Sequence, residues 1–211
     1  MIIFDLDGTL FNTASAFIPA CEDFFLTYNK PYPGNREVMM LVGEPEAYFR
    51  EWLIRHDIDQ PFEQTRRLMI ELEVGYIYKN GALFEGVKLL LEELYRSGQE
   101  IALCSNAVDA YQEAVFDKTE ISSFFSSVRL PRSPSDNKTS MVRELIQQAE
   151  PASYHIVAGD RIHDIMAARD NGLISIGCAY GYGFDEIKEA DYVAQSASEI
   201  KTIIDQVFSA R

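Results

Sequence analysis

Two aspartates one residue apart, Asp5 and Asp7, follow the apolar run Met1-Ile2-Ile3-Phe4 and lead into Gly8-Thr9-Leu10. A buried strand normally ends before any charge, and this one runs straight into two. Strand alternation turns both side chains the same way only if the strand continues, and Gly8 argues for a bend instead. Either geometry leaves two carboxylates close together at the carboxyl end of a buried strand, where open α/β sheets bind ligands. Like charges held that close raise each other's pKa unless a cation joins them or one keeps its proton. A hard divalent cation, with a nucleophile and an acid/base pair, is the economical chemistry for such residues. An acidic turn is the plain alternative, since Asp-Gly is among the commonest turn pairs.

From Phe84 onward the chain alternates helical and strand patterns with short links. Val87, Leu90, Leu91, Leu94 and Tyr95 fall at helical spacing, and Gly98 stands where that helix would end. Ile101-Ala102-Leu103-Cys104 reads as a strand, as do Val128-Arg129-Leu130, His155 to Ala158, Ile174-Ser175-Ile176 and Tyr192-Val193. Met141, Val142, Leu145, Ile146 and Ala149 mark one helix, Ile165 to Asp170 a second closed by Gly172. Ile200, Ile203, Ile204 and Val207 mark a third, with the capping-box spacing Ser196 to Glu199. Strand and helix in alternation predict a parallel sheet with helices on both faces. Residues 12–83 differ: Phe17, Ala20, Cys21, Phe24 and Phe25 form one helical stripe, and Leu68, Ile70, Leu72, Ile77 and nearby aromatics suggest another helix. An all-helical insert therefore separates the first strand from the rest of its sheet.

Polar residues interrupt the apolar text at the strand ends. Asp5 and Asp7 follow the first strand, and Ser105 and Asn106 follow Ile101 to Cys104. Lys138 opens the helix after the third strand, while Gly159, Asp160 and Asp164 come after His155 to Ala158. Taken singly, Ser105 reads as a helix cap, Lys138 as a solvated lysine and Asp164 as an exposed helical charge. Their shared position behind successive parallel strands brings them to one sheet edge.

In this arrangement the whole chain resembles the haloacid dehalogenase-like hydrolase superfamily. Asp5-Leu6-Asp7-Gly8-Thr9 is similar to its first motif, Ser105 to its second, Lys138 to its third, and Gly159-Asp160-Arg161-Ile162-His163-Asp164 to its fourth. The insert resembles the small helical cap of the phosphoglycolate-phosphatase-like and phosphoglucomutase-like branches. The resemblance implies an α/β fold with a doubly wound, mostly parallel sheet formed by residues 1–12 and 84–211, and a cap formed by 13–83. It implies Mg²⁺-dependent hydrolysis of a small phosphorylated metabolite through an aspartyl-phosphate. Asp5 would be the nucleophile. Asp7 would be the general acid and base and offer its backbone carbonyl to the metal. Asp160 would bind the metal beside Asp5, and Asp164 would hold the metal's waters or orient Lys138. Ser105, Asn106 and Lys138 would bind phosphoryl oxygens, and Thr9 would steady Asp7 by a hydrogen bond.

Asp7 favours phosphoryl chemistry, because dehalogenases of the superfamily lack a carboxylate there. A sugar phosphomutase is the enzymatic alternative and a non-catalytic binding module the other, although the chain keeps every catalytic group. Asn12-Thr13 and Glu85 depart from the branch's usual Asp-Ser and proline without touching the chemistry. The substrate stays open among phosphoglycolate, nucleotide, sugar-phosphate and pyrophosphate types.

Composition narrows the classes further. A chain of 211 residues with 47% hydrophobic content supports one substantial packed domain with an insert. A net charge of −14 argues against a nucleic-acid polymer as partner but not against a small phosphate ester. Cys21, Cys104 and Cys178 lack disulfide or zinc spacing, and neither a long apolar run nor a basic leader is present. A reducing cytoplasm is the expected compartment, with no membrane partner.

Overall fold

Ile2, Ile3 and Phe4 have no solvent-accessible surface on either side of their strand, as the central strand of a parallel sheet requires. The computed structural model describes residues 1–149 and 154–209. This strand, β1 (Ile2–Phe4), lies within a six-stranded sheet completed by β2 (Ile101–Cys104), β3 (Ser127–Arg129), β4 (Ile156–Gly159), β5 (Ile174–Cys178) and β6 (Tyr192–Ala194). The strand order is β3-β2-β1-β4-β5-β6 and every neighbouring pair is parallel. The winding reverses between β1 and β4, and at such a reversal the two outgoing loops diverge and leave a crevice. Asp5 and Asp7 leave β1 at that point, and Asp160 leaves β4.

Helices cover both faces of the sheet. Ile2 and Phe4 share an apolar cluster with α5 (Val87–Arg96), α6 (Asp109–Thr119) and α9 (Ala197–Ser209). Ile3 points the other way, into a cluster with α7 (Lys138–Gln148) and α8 (Ile162–Asp170). The period-two alternation of β1 therefore serves two cores. The sequence pattern did not mark α6, because its buried residues Tyr111, Gln112, Ala114, Val115 and Phe116 bunch together and show no clean helical stripe. At α9, Glu199 reaches the Gln195 backbone N–H (2.7 Å), one residue earlier than the capping box predicts.

Between β1 and α5 the chain is helical, with α1 (Ala14–Thr27), α2 (Asn35–Val38), α3 (Glu46–Arg55) and α4 (Phe62–Asn80). The expected stripe on α1 is buried, and Phe24 and Phe25 pack around Trp52 with ring centroids 6.3 and 5.1 Å away. On α4 the inward stripe is Thr65, Met69, Glu73 and Ile77, one residue per turn, whereas Leu68, Ile70 and Leu72 are only partly buried. The expected helix is present, and of the aliphatic residues that mark it only Ile77 is fully buried. The helix lies against both α1 and α6, and this contact turns two polar residues inward. The two connections to the sheet run side by side: Asn12 N–H donates to Ala82 O (2.9 Å) and Phe84 N–H to Leu10 O (3.0 Å).

Trp52 is 1% exposed and Ile54, on the same helix, 77%. Trp52→Ala should cost about 3–5 kcal/mol by emptying a packed aromatic site. Ile54→Ala should stay within about 0.5 kcal/mol. Urea denaturation of both variants checks the contrast.

Candidate active site

The turn after β1 is built on one carbonyl. Leu6 O accepts the N–H groups of Leu10 (2.9 Å) and Phe11 (2.8 Å), which reverses the chain immediately after the acidic pair. Gly8 sits at φ +78°, a left-handed conformation that favours glycine, and a Cβ there would collide with the Asp160 carboxylate. Glycine thus lets the β1 turn approach the β4 loop closely enough for their acids to share one site.

Four carboxylates are buried here: Asp5, Asp7, Asp160 and Asp164. Lys138, at the first position of α7, donates to Asp5 Oδ1 (2.5 Å) and to Asp164 Oδ1 (2.6 Å). Burial would push the ammonium's pKa down, but Asp164 and Asp5 together raise it, so Lys138 is held charged. Burial pushes the Asp5 carboxyl well above its ordinary value. Lys138 opposes that shift, and Asp164, Asp160 and Asp7 add to it. Burial likewise raises Asp160, to about 7, although its Oδ2 accepts the Tyr182 N–H (2.6 Å). Its other oxygen, Oδ1, is buried with no hydrogen-bond partner among the described residues.

Oxygens of Asp5, Asp160 and Asp164 come within 4.8 Å of one another. The all-oxygen donor set and the orphaned Asp160 Oδ1 both fit a hard divalent cation such as Mg²⁺. Of the three expected ligands, Asp7 does not add its carboxylate to this cluster. Its Oδ1 is taken by the hydroxyls of Tyr111 (2.5 Å) and Thr13 (2.7 Å). Burial raises the Asp7 pKa, and these two hydrogen bonds oppose the rise.

Thr9, expected to steady Asp7, does not: its buried hydroxyl has no hydrogen-bond partner among the described residues. The tight turn on Leu6 leaves Thr9 out of reach, and Thr13 and Tyr111 take the position. Neither carried a motif signal, although Thr13 stands at the start of the insert.

Ser105 is buried at the end of β2 with its hydroxyl accepting the Ala107 N–H (3.1 Å), the cap-like role its sequence position also allows. Asn106 reaches across to the helical insert, its amide donating to Gly43 O (3.0 Å). No hydrogen bond joins Ser105 or Asn106 to Asp5 or Lys138 among the described residues.

The same turn of the insert is gripped from α8. The Arg161 guanidinium donates to Val42 O and pairs with Glu44, and His163 Nε2 lies 3.3 Å from Glu44. The fourth-motif segment therefore holds the insert as well as the acids. Below this turn lies a cavity of about 100 Å³ lined by Asp7, Thr13, Phe17, Arg66, Glu73 and Tyr111 among others. It adjoins a larger space of about 720 Å³ that reaches Lys138 and His163. Glu73 was missed in the sequence because an acid in an apolar stripe reads as a break. Its spacing, four residues from both Met69 and Ile77, was the available signal.

The Haloacid dehalogenase-like hydrolase family profile matches residues 2–178. The chain is 26% identical to the phosphoglycolate phosphatase of Vibrio parahaemolyticus over 217 aligned positions, covering 97% of this chain and 95% of that protein. It is 24% identical to a 5'-nucleotidase of Pseudomonas aeruginosa, over 88% of this chain and 85% of that protein. Among solved structures, a predicted phosphoglycolate phosphatase from Haemophilus somnus superposes with a TM-score of 0.81 at 21% identity, covering 97% of both chains, a likeness of fold. The chain belongs to the haloacid dehalogenase-like hydrolase family, with phosphoglycolate phosphatases among its relatives at low identity.

Burial raises the Glu73 carboxyl from 4.5 to about 7, with Arg66 pulling it down and Asp7 pushing it up. The fold thus favours the protonated acid, a contribution complete below the ordinary value of 4.5 and lost as pH rises through about 7. Glu73→Gln keeps the shape and removes the ionisation. It should match wild type near pH 4 and exceed it by roughly 3 kcal/mol near pH 8. Thermal unfolding at the two pH values reads the difference, and parallel pH profiles would contradict it.

Proposed function

We propose that the protein is a Mg²⁺-dependent phosphatase of a small phosphorylated metabolite, acting through an aspartyl-phosphate on Asp5. The observation that carries this reading is Lys138, bound at once to Asp5 and Asp164 beside the unpartnered oxygen of Asp160. The ammonium, together with a divalent cation held by the acid cluster, would supply the positive charge that a phosphoryl group needs.

Asp5 attacks phosphorus, forming the Asp5 O–P bond as the bond to the leaving oxygen breaks. Asp7, beside the cavity and inclined by burial to hold a proton, gives that proton to the leaving oxygen. In the second half Asp7 takes a proton from water, which attacks the aspartyl-phosphate and restores Asp5. Lys138 balances the charge on Asp5 and the phosphoryl oxygens throughout. Asp5, Asp160 and the Asp7 carbonyl would hold Mg²⁺, with Asp164 fixing its waters or Lys138. When bound, the ion neutralises charge on the transferring group. Residues 13–83 act as a cap, and the grip of Arg161, His163 and Asn106 on residues 42–44 supports closure over the reacting centre. Named relatives that cleave phosphoglycolate and nucleotides support a small monoester as substrate.

Phosphate release from a metabolite panel tests this reading. The wild-type protein should turn over with Mg²⁺ and stop after chelation. Asp5→Asn should lose at least about a thousandfold, in keeping with the weight of covalent catalysis. Chelator-resistant turnover, or an Asp5→Asn variant with a tenth of wild-type rate, would refute it.

Tyr111→Phe removes a hydrogen bond that favours ionised Asp7. The Asp7 limb of the kcat/KM pH profile should move upward by about one unit, the size of one hydrogen bond to a charged group. Thr9→Val should leave the limb in place.

A further inference from the structure

We propose that Arg66 of the helical insert is a specificity-determining residue that selects phosphate esters carrying a second anionic group, a carboxylate or another phosphate. The inference rests on the phosphatase reading above and adds to it the class of substrate and the residue that reads it.

The charged groups of the cavity beside Asp7 are mostly acidic. Asp7, Glu44 and Glu73 line it, and Arg66 is the one basic side chain among its described lining residues. An anion entering this space through a chain of net charge −14 meets repulsion unless a cation answers it. Lys138 cannot serve at this end, because its short contacts go to Asp5 and Asp164. Arg161 is spent on the turn at Val42 and Glu44 and on Glu186. Arg66 makes no ion pair within 4.0 Å with any described carboxylate. Its guanidinium lies 5.7 Å from the Phe49 ring centroid, a contact that supports the arm and leaves its donors open.

Glu73 shares the cavity but stands seven residues further along α4, about 10 Å at the helical rise. It accepts no hydrogen bond from a described residue and makes no ion pair with Arg66 within 4.0 Å, although the guanidinium's charge acts on its carboxyl. Arg66 also lines the larger space toward Lys138. A substrate spanning from Lys138 into the cavity therefore brings its far end to a planar donor fork, whose geometry suits carboxylate and phosphate alike.

The test is a selectivity ratio. kcat/KM is measured with Mg²⁺ on 2-phosphoglycolate, on fructose 1,6-bisphosphate and on p-nitrophenyl phosphate, which has no second anion. Wild type should favour at least one of the first two, and which one identifies the second anion as carboxylate or phosphate. Arg66→Gln should lower that ratio roughly 10- to 100-fold, chiefly through KM, as expected for one charged hydrogen-bonding contact. Arg66→Lys should restore part of it, and Arg67→Gln, at an exposed neighbouring position, should leave it unchanged. An unchanged ratio in Arg66→Gln, or an equal fall in Arg67→Gln, overturns the assignment while leaving the phosphatase reading intact. Failure of wild type to release phosphate from any of the three removes both.

Discussion

Four carboxylates are buried at one edge of a sheet, and the rest of the structure answers that single electrostatic cost. Isolated buried charges are driven to neutralise, and carboxylates crowded together raise one another's pKa further. One ammonium, Lys138, bridges two of the acids. Hydroxyls of Tyr111 and Thr13 support a third, and a backbone amide from Tyr182 supports one oxygen of the fourth. The remaining Asp160 oxygen has nothing. That residual deficit is what a hard cation would fill.

The fold concentrates this charge by topology. The winding reversal between β1 and β4 puts two strand ends side by side with diverging loops, so residues separated by about 150 positions in sequence meet without strain. Close approach then depends on glycine at position 8, where a side chain would occupy the space of the Asp160 carboxylate. The α8 segment joins this edge to the insert, since Asp160 and Asp164 face the acids while Arg161 and His163 hold Glu44. A movement of the insert must therefore exchange ion pairs made one and three residues from Asp160, the proposed metal ligand. Cap position and the electrostatics of the site are mechanically linked.

Much of this was legible in the sequence, for identifiable reasons. Short apolar runs ending in polar residues located the strands of the sheet, and the order of Asp5, Ser105, Lys138 and Asp160 placed the chemistry at their carboxyl edge. What escaped was set by tertiary contact. Thr9 looked like the partner of Asp7 because it is near in sequence, but a turn stapled to Leu6 removes it, and Tyr111 arrives from a helix whose apolar residues bunch. The inward stripe of α4 carries Thr65 and Glu73, so the apolar residues that mark the helix do not reveal which face it buries. Arg66 carries no motif; only the cavity distinguishes it from a solvated arginine.

The central claim is that the acid cluster is under electrostatic stress which a divalent cation relieves. Thermal unfolding of wild type and Asp160→Asn, with and without Mg²⁺, tests it without reference to any substrate. At Mg²⁺ near 100 times its dissociation constant, the wild-type midpoint should rise by roughly 5–10 °C. Asp160→Asn should be at least as stable as wild type in metal-free buffer at pH 8 and should gain little from Mg²⁺. A wild-type midpoint indifferent to Mg²⁺, together with a destabilised Asp160→Asn, would show that the cluster is balanced by the protein alone and would contradict the account.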